Sequence, residues 1–311
     1  MTLPDRPTML QAAARVRPLR RMSAFGRALD RRALAARVPQ DWDVAYSMPG
    51  FTPRGHDVRA RVVHAATHHP ARVRESLAAA RRRAGGGQGF MTAIEADLLV
   101  RELHRARVVR AESCAVADEL RGDSGVRGTV VVAPPGVDLV RFRPSAKAAQ
   151  LTVAFVGTFS LWKGIDVLVD LGERLRGVAV LATIAGPVCP WSRRLAAGAP
   201  FVPHSNVPDL LAKAHALVLP SASDGFGYVV LEAMAAGAVP FVTPDVGASE
   251  LVARLDPRLV QPAAEFAEGV SALLTTMSLA ELGRSARRLA CEYEQNAMAR
   301  RAAGAVLDAL G

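Results

Sequence analysis

The fold is decided by residues 216–250, which read ALVLPSASDGFGYVVLEAMAAGAVPFVTPDVGASE. An apolar strand is predicted at 216–219, and an acidic loop with two glycines follows at 223–227. A helix is predicted over 228–236, and a second apolar strand at 239–242. A strand, a glycine loop and a helix start in this order direct free backbone N–H groups and the positive helix dipole at one point, where phosphates bind.

Two carboxylates flank the predicted phosphate position. Asp224 lies in the loop, and Glu232 lies one helical turn inside the helix. Carboxylates accept hydrogen bonds from hydroxyl groups, and the amides of Phe226, Gly227 and Tyr228 are expected to face the phosphates. A phosphate position between two hydroxyl-binding carboxylates fits a nucleotide-sugar, which carries hydroxyl groups on either side of its phosphates.

A second glycine-containing loop, residues 157–164, reads GTFSLWKG and also follows a predicted strand and precedes a helix. Lys163 is expected to place a positive charge beside the diphosphate, which stabilises it as a leaving group. Gly157 allows the backbone to approach the ligand closely. The loop is therefore predicted to form the other side of the same phosphate site.

The segment 220–250 resembles the donor-site motif of retaining glycosyltransferase family 4, PS-x-x-EGFG-x-x-x-LEAMA-x-G-x-P. The matching positions are Pro220, Ser221, Asp224, Gly225, Phe226, Gly227, Leu231, Glu232, Ala233, Met234, Ala235, Gly237 and Pro240, with Glu250 at the family's later acidic position. Residues 133–144 are similar to the family's interdomain signature, NGVD-x-x-x-F-x-P. The resemblance implies the GT-B fold, an α/β architecture of two Rossmann-like domains whose parallel sheets face each other across a cleft.

The resemblance also implies roles for the site residues. Lys163 aligns with the family's diphosphate lysine, and Glu232 with the glutamate that binds the ribose hydroxyls. Asp224 replaces the glutamate that contacts the donor sugar, with a side chain shorter by one carbon, and Thr158 replaces a phosphate-binding arginine. Family enzymes retain the anomeric configuration by front-face attack. They need no protein nucleophile, metal or cofactor, because the nucleotide-diphosphate sugar is a co-substrate.

The acceptor site is expected in the first domain. Residues 66–70, ATHHP, follow a predicted strand and precede a helix, so His68 or His69 is predicted to contact the acceptor or the donor phosphate. A zinc pair of His64 and His68 is not favoured, because no third ligand is evident. The acceptor itself stays open among a glycan, a glycolipid and a small molecule.

The 311 residues suffice for two domains, predicted at 1–145 and 146–311, with strands and helices alternating in each. A late helical tract is predicted at 263–310, and its last part, 290–311, is predicted to return to the first domain. Residues 1–40 are predicted to be helical. Nothing before Leu10 resembles the opening strand of a GT-B domain, so either the chain starts late or the first domain is shortened. A second hypothesis follows, a catalytically degenerate nucleotide-sugar binder or a partner subunit of a glycosyltransferase complex.

The positive charge is uneven. Residues 1–144 contain 25 Arg, no Lys and 14 acidic residues, a net charge of +11, whereas residues 145–311 have a net charge of −1. Three explanations stay open: peripheral contact with an anionic membrane, a genomic preference for arginine, and nucleic acid. Nucleic acid is the least favoured, because no nucleic-acid-binding motif accompanies the charge.

The cysteines and the hydropathy pattern suggest the compartment. The three cysteines, Cys114, Cys189 and Cys291, are scattered and suit a reducing environment. No apolar run reaches the roughly 18 residues of a membrane span, and no signal-peptide core is evident. The expected location is the cytoplasm, including the inner face of the membrane.

Overall fold

The computed structural model describes residues 44–47, 60–87, 93–185, 190–197, 201–203 and 206–311. The helix predicted for residues 1–40 lies outside these described residues. Within them, no helix has the length and apolarity needed to span a membrane.

The first sheet has four parallel strands in the spatial order β1-β2-β3-β4. The strands are β1 (Val44–Ser47), β2 (Ala60–Ala65), β3 (Val108–Ala111) and β4 (Thr129–Val132). The connecting helices are α1 (Pro70–Arg83), α2 (Ala93–His104) and α3 (Cys114–Gly122). Each strand pairs with the next one along the chain, so the order of the described strands never reverses.

Both faces of this sheet are apolar, because valine and alanine occupy successive positions on β2 and β3. Val63 and Val109 pack with Leu120 of α3 on one face. On the other face, Val62 and Val108 pack against the end of the chain's last helix. A strand covered on both faces is typical of parallel sheets.

The second sheet has five parallel strands in the order β7-β6-β5-β8-β9. The strands are β5 (Thr152–Gly157), β6 (Val180–Ala185), β7 (Phe201–Pro203), β8 (Ala216–Leu219) and β9 (Val239–Val242). The helices are α4 (Ile165–Arg174), α5 (Pro190–Leu195), α6 (Val207–Lys213), α7 (Tyr228–Ala235), α8 (Ser249–Ala253), α9 (Phe266–Thr276), α10 (Leu279–Cys291) and α11 (Gln295–Leu310).

The strand order of the second sheet reverses between β5 and β8, which are neighbours although three crossovers separate them in sequence. In an open α/β sheet, the loops that leave two such strands at their carboxyl ends diverge and leave a crevice. Here these loops are residues 158–164 and 220–227. The topology therefore brings the two glycine-containing loops to one edge of one sheet.

The last helix, α11, leaves the second sheet and packs on the first. Val306 lies against Val62 and Val108, and the start of the helix is tied to the interdomain segment. There the amide of Val137 donates to the Tyr293 carbonyl at 2.8 Å, and the amide of Gln295 donates to the Val137 carbonyl at 3.1 Å.

The predicted α/β class with two Rossmann-like parallel sheets is confirmed. The helical tract predicted for 263–310 is present as three helices, α9, α10 and α11, separated by short breaks at 277–278 and 292–294. Helices α5 and α8 have six and five residues, and hydrophobic periodicity needs longer windows to detect a helix.

Candidate functional site

Lys163 and Asp224 meet at the crevice between β5 and β8. Lys163 ends a short 3₁₀ turn, Leu161–Lys163, and its Nζ donates a hydrogen bond to the Asp224 carboxylate. Both side chains are largely buried, 25% and 13% exposed. The pair joins the loop after β5 to the loop after β8.

Gly164 allows the two loops to touch. Its φ is +73°, in the left-handed region, and a Cβ there would overlap the backbone carbonyl of Pro220. Only glycine meets both conditions without strain. The sequence presented this glycine as part of a phosphate loop, whereas in the structure it sets the spacing between two loops.

The start of α7 presents unused backbone donors. Gly227 precedes the helix with φ +83°, and no side chain caps this end. Within the described ranges, nothing accepts a hydrogen bond from the amides of Phe226, Gly227 or Tyr228. With the helix dipole, these amides form an anion-binding corner beside Lys163.

The start of α4, predicted to be equivalent, is occupied by its own chain. The Ser160 carbonyl accepts from the amides of Lys163 and Ile165 at 3.1 Å each. Asp166, in the first turn, lies 3.1 Å from Nε of Arg83 in α1. Burial raises the pKa of Asp166, while the charge of Arg83 acts in the opposite sense. The start of α4 therefore leaves fewer free backbone donors for a ligand than the sequence predicted.

Gly157 and Thr158 lie where β5 ends. A Cβ at Gly157 would stand 3.6 Å from Cγ of Lys163 and 3.2 Å from the Phe155 ring, so little space separates these groups. Thr158 is exposed, and its hydroxyl lies 3.1 Å from the Ser160 hydroxyl. A threonine here supplies a hydroxyl but no positive charge.

Glu232 lies one turn inside α7, on the same helix face as Tyr228. Burial raises the pKa of Glu232, and the positive charge of Arg141 acts in the opposite sense. No described residue donates a hydrogen bond to this carboxylate. A half-buried carboxylate without donors can accept ligand hydroxyls.

The Tyr228 side chain is half-exposed and its hydroxyl reaches the first half, whereas the Phe226 ring belongs to the buried core. The Tyr228 hydroxyl donates to Oε1 of Glu112, which also lies 2.8 Å from Nε2 of His64. Burial, and then the charge of Glu112, raise the pKa of Tyr228. The Phe226 ring is 2% exposed, so only the backbone of this residue is open to a ligand.

His68 is 3% exposed, and both of its ring nitrogens have partners. Nδ1 lies 2.8 Å from the Glu119 carboxylate, and Nε2 lies 3.0 Å from the Asp245 carbonyl. Both partners only accept hydrogen bonds, so both contacts are satisfied together when the ring is the doubly protonated imidazolium. Burial lowers the pKa of His68, but the hydrogen bond and charge of Glu119 outweigh burial and raise it. Neither nitrogen is free for a substrate, so this geometry favours a positioning role.

The backbone of Asp245 connects His68 to the loop after β8, residues 220–227. The Asp245 carbonyl also accepts a hydrogen bond from the amide of Asp224 at 2.9 Å. The Asp245 carboxylate pairs with Arg72 of α1 at 2.6 Å. Ser113, which caps α3, donates to the Gly225 carbonyl at 3.0 Å. Residues that follow the strands of the first sheet therefore form hydrogen bonds with the loop at 220–227, directly from Ser113 and through Asp245 from His68.

Several of these residues were missed by sequence reasoning. They are Glu112, Ser113, Glu119, Ser160 and Asp245, and His64 was considered only as a zinc ligand. Asp245 and Ser113 each follow a strand at its carboxyl end, and that position was the available signal. Glu119 lies inside a helix and carried no signal.

Glu250, at the family's later acidic position, caps the start of α3. Its Oε1 accepts from the amide of Cys114 at 3.1 Å. Among the described residues, no three His, Cys, Asp or Glu side chains come together as metal ligands.

Comparison with known proteins relates the second half to one family. Residues 150–276 match the family model described as Glycosyl transferases group 1. A D-inositol 3-phosphate glycosyltransferase of Nocardia farcinica is 31% identical over 180 residues, covering 48% of this chain and 39% of the relative. The chain therefore spans about two fifths of the length of this curated relative.

Solved structures show the same fold over most of the chain. Sucrose-phosphate synthase from Thermosynechococcus elongatus superposes with a TM-score of 0.66 at 19% identity, covering 86% of this chain and 73% of that one. WaaG, a glycosyltransferase involved in lipopolysaccharide biosynthesis, gives a TM-score of 0.59 at 20% identity, with 86% and 78% coverage.

Proposed function

We propose that the chain is a glycosyltransferase family 4-like protein that transfers a sugar from a nucleotide-diphosphate sugar to an acceptor. The match of residues 150–276 to the group 1 glycosyltransferases and the fold shared with solved structures support this proposal. The observation that carries this proposal is the pairing of Lys163 with Asp224 beside the free amides that begin α7. One cation, one carboxylate and a helix start match a diphosphate with a sugar attached.

The proposed mechanism starts with an exchange of partners. When the donor binds, Lys163 moves from Asp224 to the diphosphate. Asp224 then becomes free to accept hydrogen bonds from the hydroxyl groups of the sugar. The amides of Phe226, Gly227 and Tyr228 share the negative charge of the diphosphate. Glu232 accepts the ribose hydroxyls.

The transfer step is proposed to retain configuration by attack on the face from which the diphosphate leaves. The acceptor oxygen bonds to the anomeric carbon while the bond from that carbon to the diphosphate oxygen breaks, and its electron pair stays with the diphosphate. The acceptor proton moves to a leaving phosphate oxygen. No side chain forms a covalent intermediate, so positioning and charge stabilisation account for the rate.

Calorimetric titration of the purified chain with UDP, GDP and ADP tests the donor site. Lys163→Ala is expected to lower the affinity for the nucleotide that binds by about ten- to a hundred-fold, because a hydrogen bond to a charged group is lost. Lys213→Ala is the matched control, because Lys213 pairs with Asp209 on the surface of the same half. Equal losses in the two variants, or no binding to any nucleotide, would contradict the proposal.

A second candidate, a degenerate nucleotide-sugar binder, is supported by three observations. The four described strands of the first sheet show no order reversal, Thr158 replaces an arginine, and both nitrogens of His68 are engaged. Release of nucleoside diphosphate from the donor in the presence of candidate acceptors separates the two. Binding without release supports the binder, and acceptor-dependent release supports the enzyme.

Acceptor class and location remain part of the proposal. The relative's name specifies D-inositol 3-phosphate, a phosphorylated polyol, and the first titration of acceptors should include this class. The excess charge of residues 1–144 supports testing anionic glycolipids next. A cytoplasmic location, including the inner face of the membrane, is the setting in which nucleotide-sugar donors and such acceptors meet.

A further inference from the structure

A cavity of about 610 Å³ lies at the opposite edge of the second sheet from the donor crevice. It opens where β5, β8 and β9 begin, between the segment that joins the two sheets and helix α10. Its lining residues are Pro144, Lys147, His215, Gly237, Leu279, Ala280, Gly283, Arg284, Arg287 and Arg288. The volume is that of a small-molecule site, which typically spans about 300–1,000 Å³.

The titratable lining residues are all basic. In the part of the chain that the structure describes, none of them forms an ion pair with a carboxylate. They are Lys147, His215, Arg284, Arg287 and Arg288. Such a concentration of positive charge without counter-charge is unusual, because arginine and lysine in a recess are ordinarily paired.

Two of these cations are held by backbone carbonyls. Lys147 donates to the Ala212 and Ala236 carbonyls at 3.2 and 3.1 Å, at the C-terminal ends of α6 and α7. Arg287 donates to the Ala235 and Phe142 carbonyls at 2.8 and 3.0 Å. The helix dipoles supply about half a negative charge each, which only partly balances the cations.

The incomplete balance is visible at Lys147 and His215. Burial lowers the pKa of Lys147 to about 8, and no acidic side chain acts on it. Burial, and then the charge of Lys147, lower the pKa of His215. One of the three Nζ–H groups of Lys147 has no carbonyl partner, so a donor is left for an anion.

Arg284 and Arg288 stand at the mouth of the cavity, one turn apart on α10. Both are exposed, and Arg288 donates to the hydroxyl of Ser285 at 2.9 Å. No contact holds the Arg284 guanidinium among the described residues. Guanidinium groups bind phosphate through paired N–H donors, which makes this pair a phosphate clamp.

We propose that this cavity binds a phosphorylated small molecule, whose phosphate is held by Arg284, Arg288 and Lys147. The uncharged part of the ligand lies against Pro144, Leu279 and Ala280. The site is separate from the donor crevice, because it lies at the strands' amino ends whereas Lys163 and Asp224 lie at their carboxyl ends. Its ligand contacts both α10 and the segment that joins the two sheets.

The chain has three lysines, so amine labelling reads three places separately. Lys163 reports the donor crevice, Lys147 the cavity, and Lys213 the surface. The full chain is acetylated with limiting acetic anhydride at pH 8, with and without inorganic pyrophosphate, and the acetylated lysines are located by mass spectrometry. Saturating pyrophosphate is expected to lower Lys147 labelling about ten-fold, because labelling then reports the unbound fraction, and to leave Lys213 unchanged.

The double variant Arg284→Gln/Arg288→Gln tests the clamp. Both side chains are exposed, so folding is expected to be unaffected, and Lys147 should still be acetylated but no longer protected. Arg193→Gln/Arg194→Gln removes the same charge from an exposed helix of the same half and is the matched control. Protection of Lys147 should survive in this control.

Three results would overturn the proposal. They are labelling of Lys147 that pyrophosphate does not change, equal loss of protection in the two double variants, and equal protection of Lys213. Protection by phosphatidylglycerol vesicles without protection by pyrophosphate would also overturn it, in favour of a lipid surface. The result at Lys163 decides none of these outcomes, so a failure of the donor-site proposal is recognised separately.

Discussion

Two lysines at opposite edges of the second sheet have contrasting surroundings. At the carboxyl edge, Lys163 pairs with Asp224, and loops from both sheets press around the pair. At the amino edge, Lys147 lies among other cations and contacts only carbonyl groups. The charge balance differs accordingly: the lysine at one edge has an internal carboxylate partner, and the lysine at the other edge has no carboxylate partner among the described residues. A lysine's partners thus indicate its role better than its burial does.

The largest expected effect is the difference in destabilisation between alanine substitutions at the two edges of the second sheet. Gly164 and Gly237 both adopt positive φ, +73° and +74°. A Cβ at Gly164 would overlap the Pro220 carbonyl, whereas at Gly237 the nearest atom, of Pro144, is 3.6 Å away. We expect Gly237→Ala to cost about 1–2 kcal/mol, the strain of the left-handed conformation alone.

Gly164→Ala is expected to cost at least about 2 kcal/mol more than that, because overpacking adds to the strain. Urea unfolding of both variants measures the free energies. Equal destabilisation would show that the loops at the carboxyl edge adjust as freely as the open amino edge, and the contrast between the edges would fail.

The second prediction concerns Glu232, the carboxyl-edge residue without a charge-balancing hydrogen bond. Glu232→Gln is expected to weaken binding of the donor nucleotide about ten-fold, because the ribose hydroxyls lose a charged acceptor. Calorimetry gives the affinity, and Glu268→Gln, an exposed position on α9, is the control. Unchanged affinity in the Glu232 variant would remove the ribose from this end of α7.

The smallest expected effect compares two histidines. The pKa of His68 is raised above 6.5, so the stability it contributes is complete below pH 6.5 and is lost as the pH rises through the raised value. The pKa of His215 is lowered, so the penalty it imposes is largest at low pH and disappears as the pH rises to 6.5. The stability differences from wild type are therefore expected to slope in opposite directions.

Urea unfolding of His68→Gln and His215→Gln between pH 5 and 8 measures these slopes. The destabilisation caused by His68→Gln is expected to shrink as the pH rises, whereas that caused by His215→Gln is expected to grow. Parallel slopes in the two variants would mean that the Glu119 pairing does not hold a proton on His68, and its positioning role would fail.

The sequence predicted the fold because long apolar strands and glycine loops carry strong local patterns. It placed strands β8 and β9 at their observed bounds, since apolar residues end abruptly at Pro220 and Thr243 there. It also identified Lys163 and Asp224, and the structure brings them together. These features depend on neighbours in sequence or on strand order.

The rest could not be read from the sequence, because it depends on contacts between distant segments. The hydrogen bond from the Ile165 amide to the Ser160 carbonyl is one of several local geometries open to that loop. The placement of His68 between Glu119 and Asp245 and the cation cluster around Lys147 join residues that are far apart in sequence. His68 resembled a free cleft residue until both of its partners were placed.

Gly225 has a consequence for how the chain can change over generations. A Cβ there would overlap the Ala66 carbonyl of the opposite half, so any other residue wedges the halves apart. Substitutions at Gly225 and in residues 66–67 are therefore sterically coupled, because each segment limits the space of the other. A chimaera that joins this donor half to a foreign first half needs a partner backbone shaped like residues 66–67.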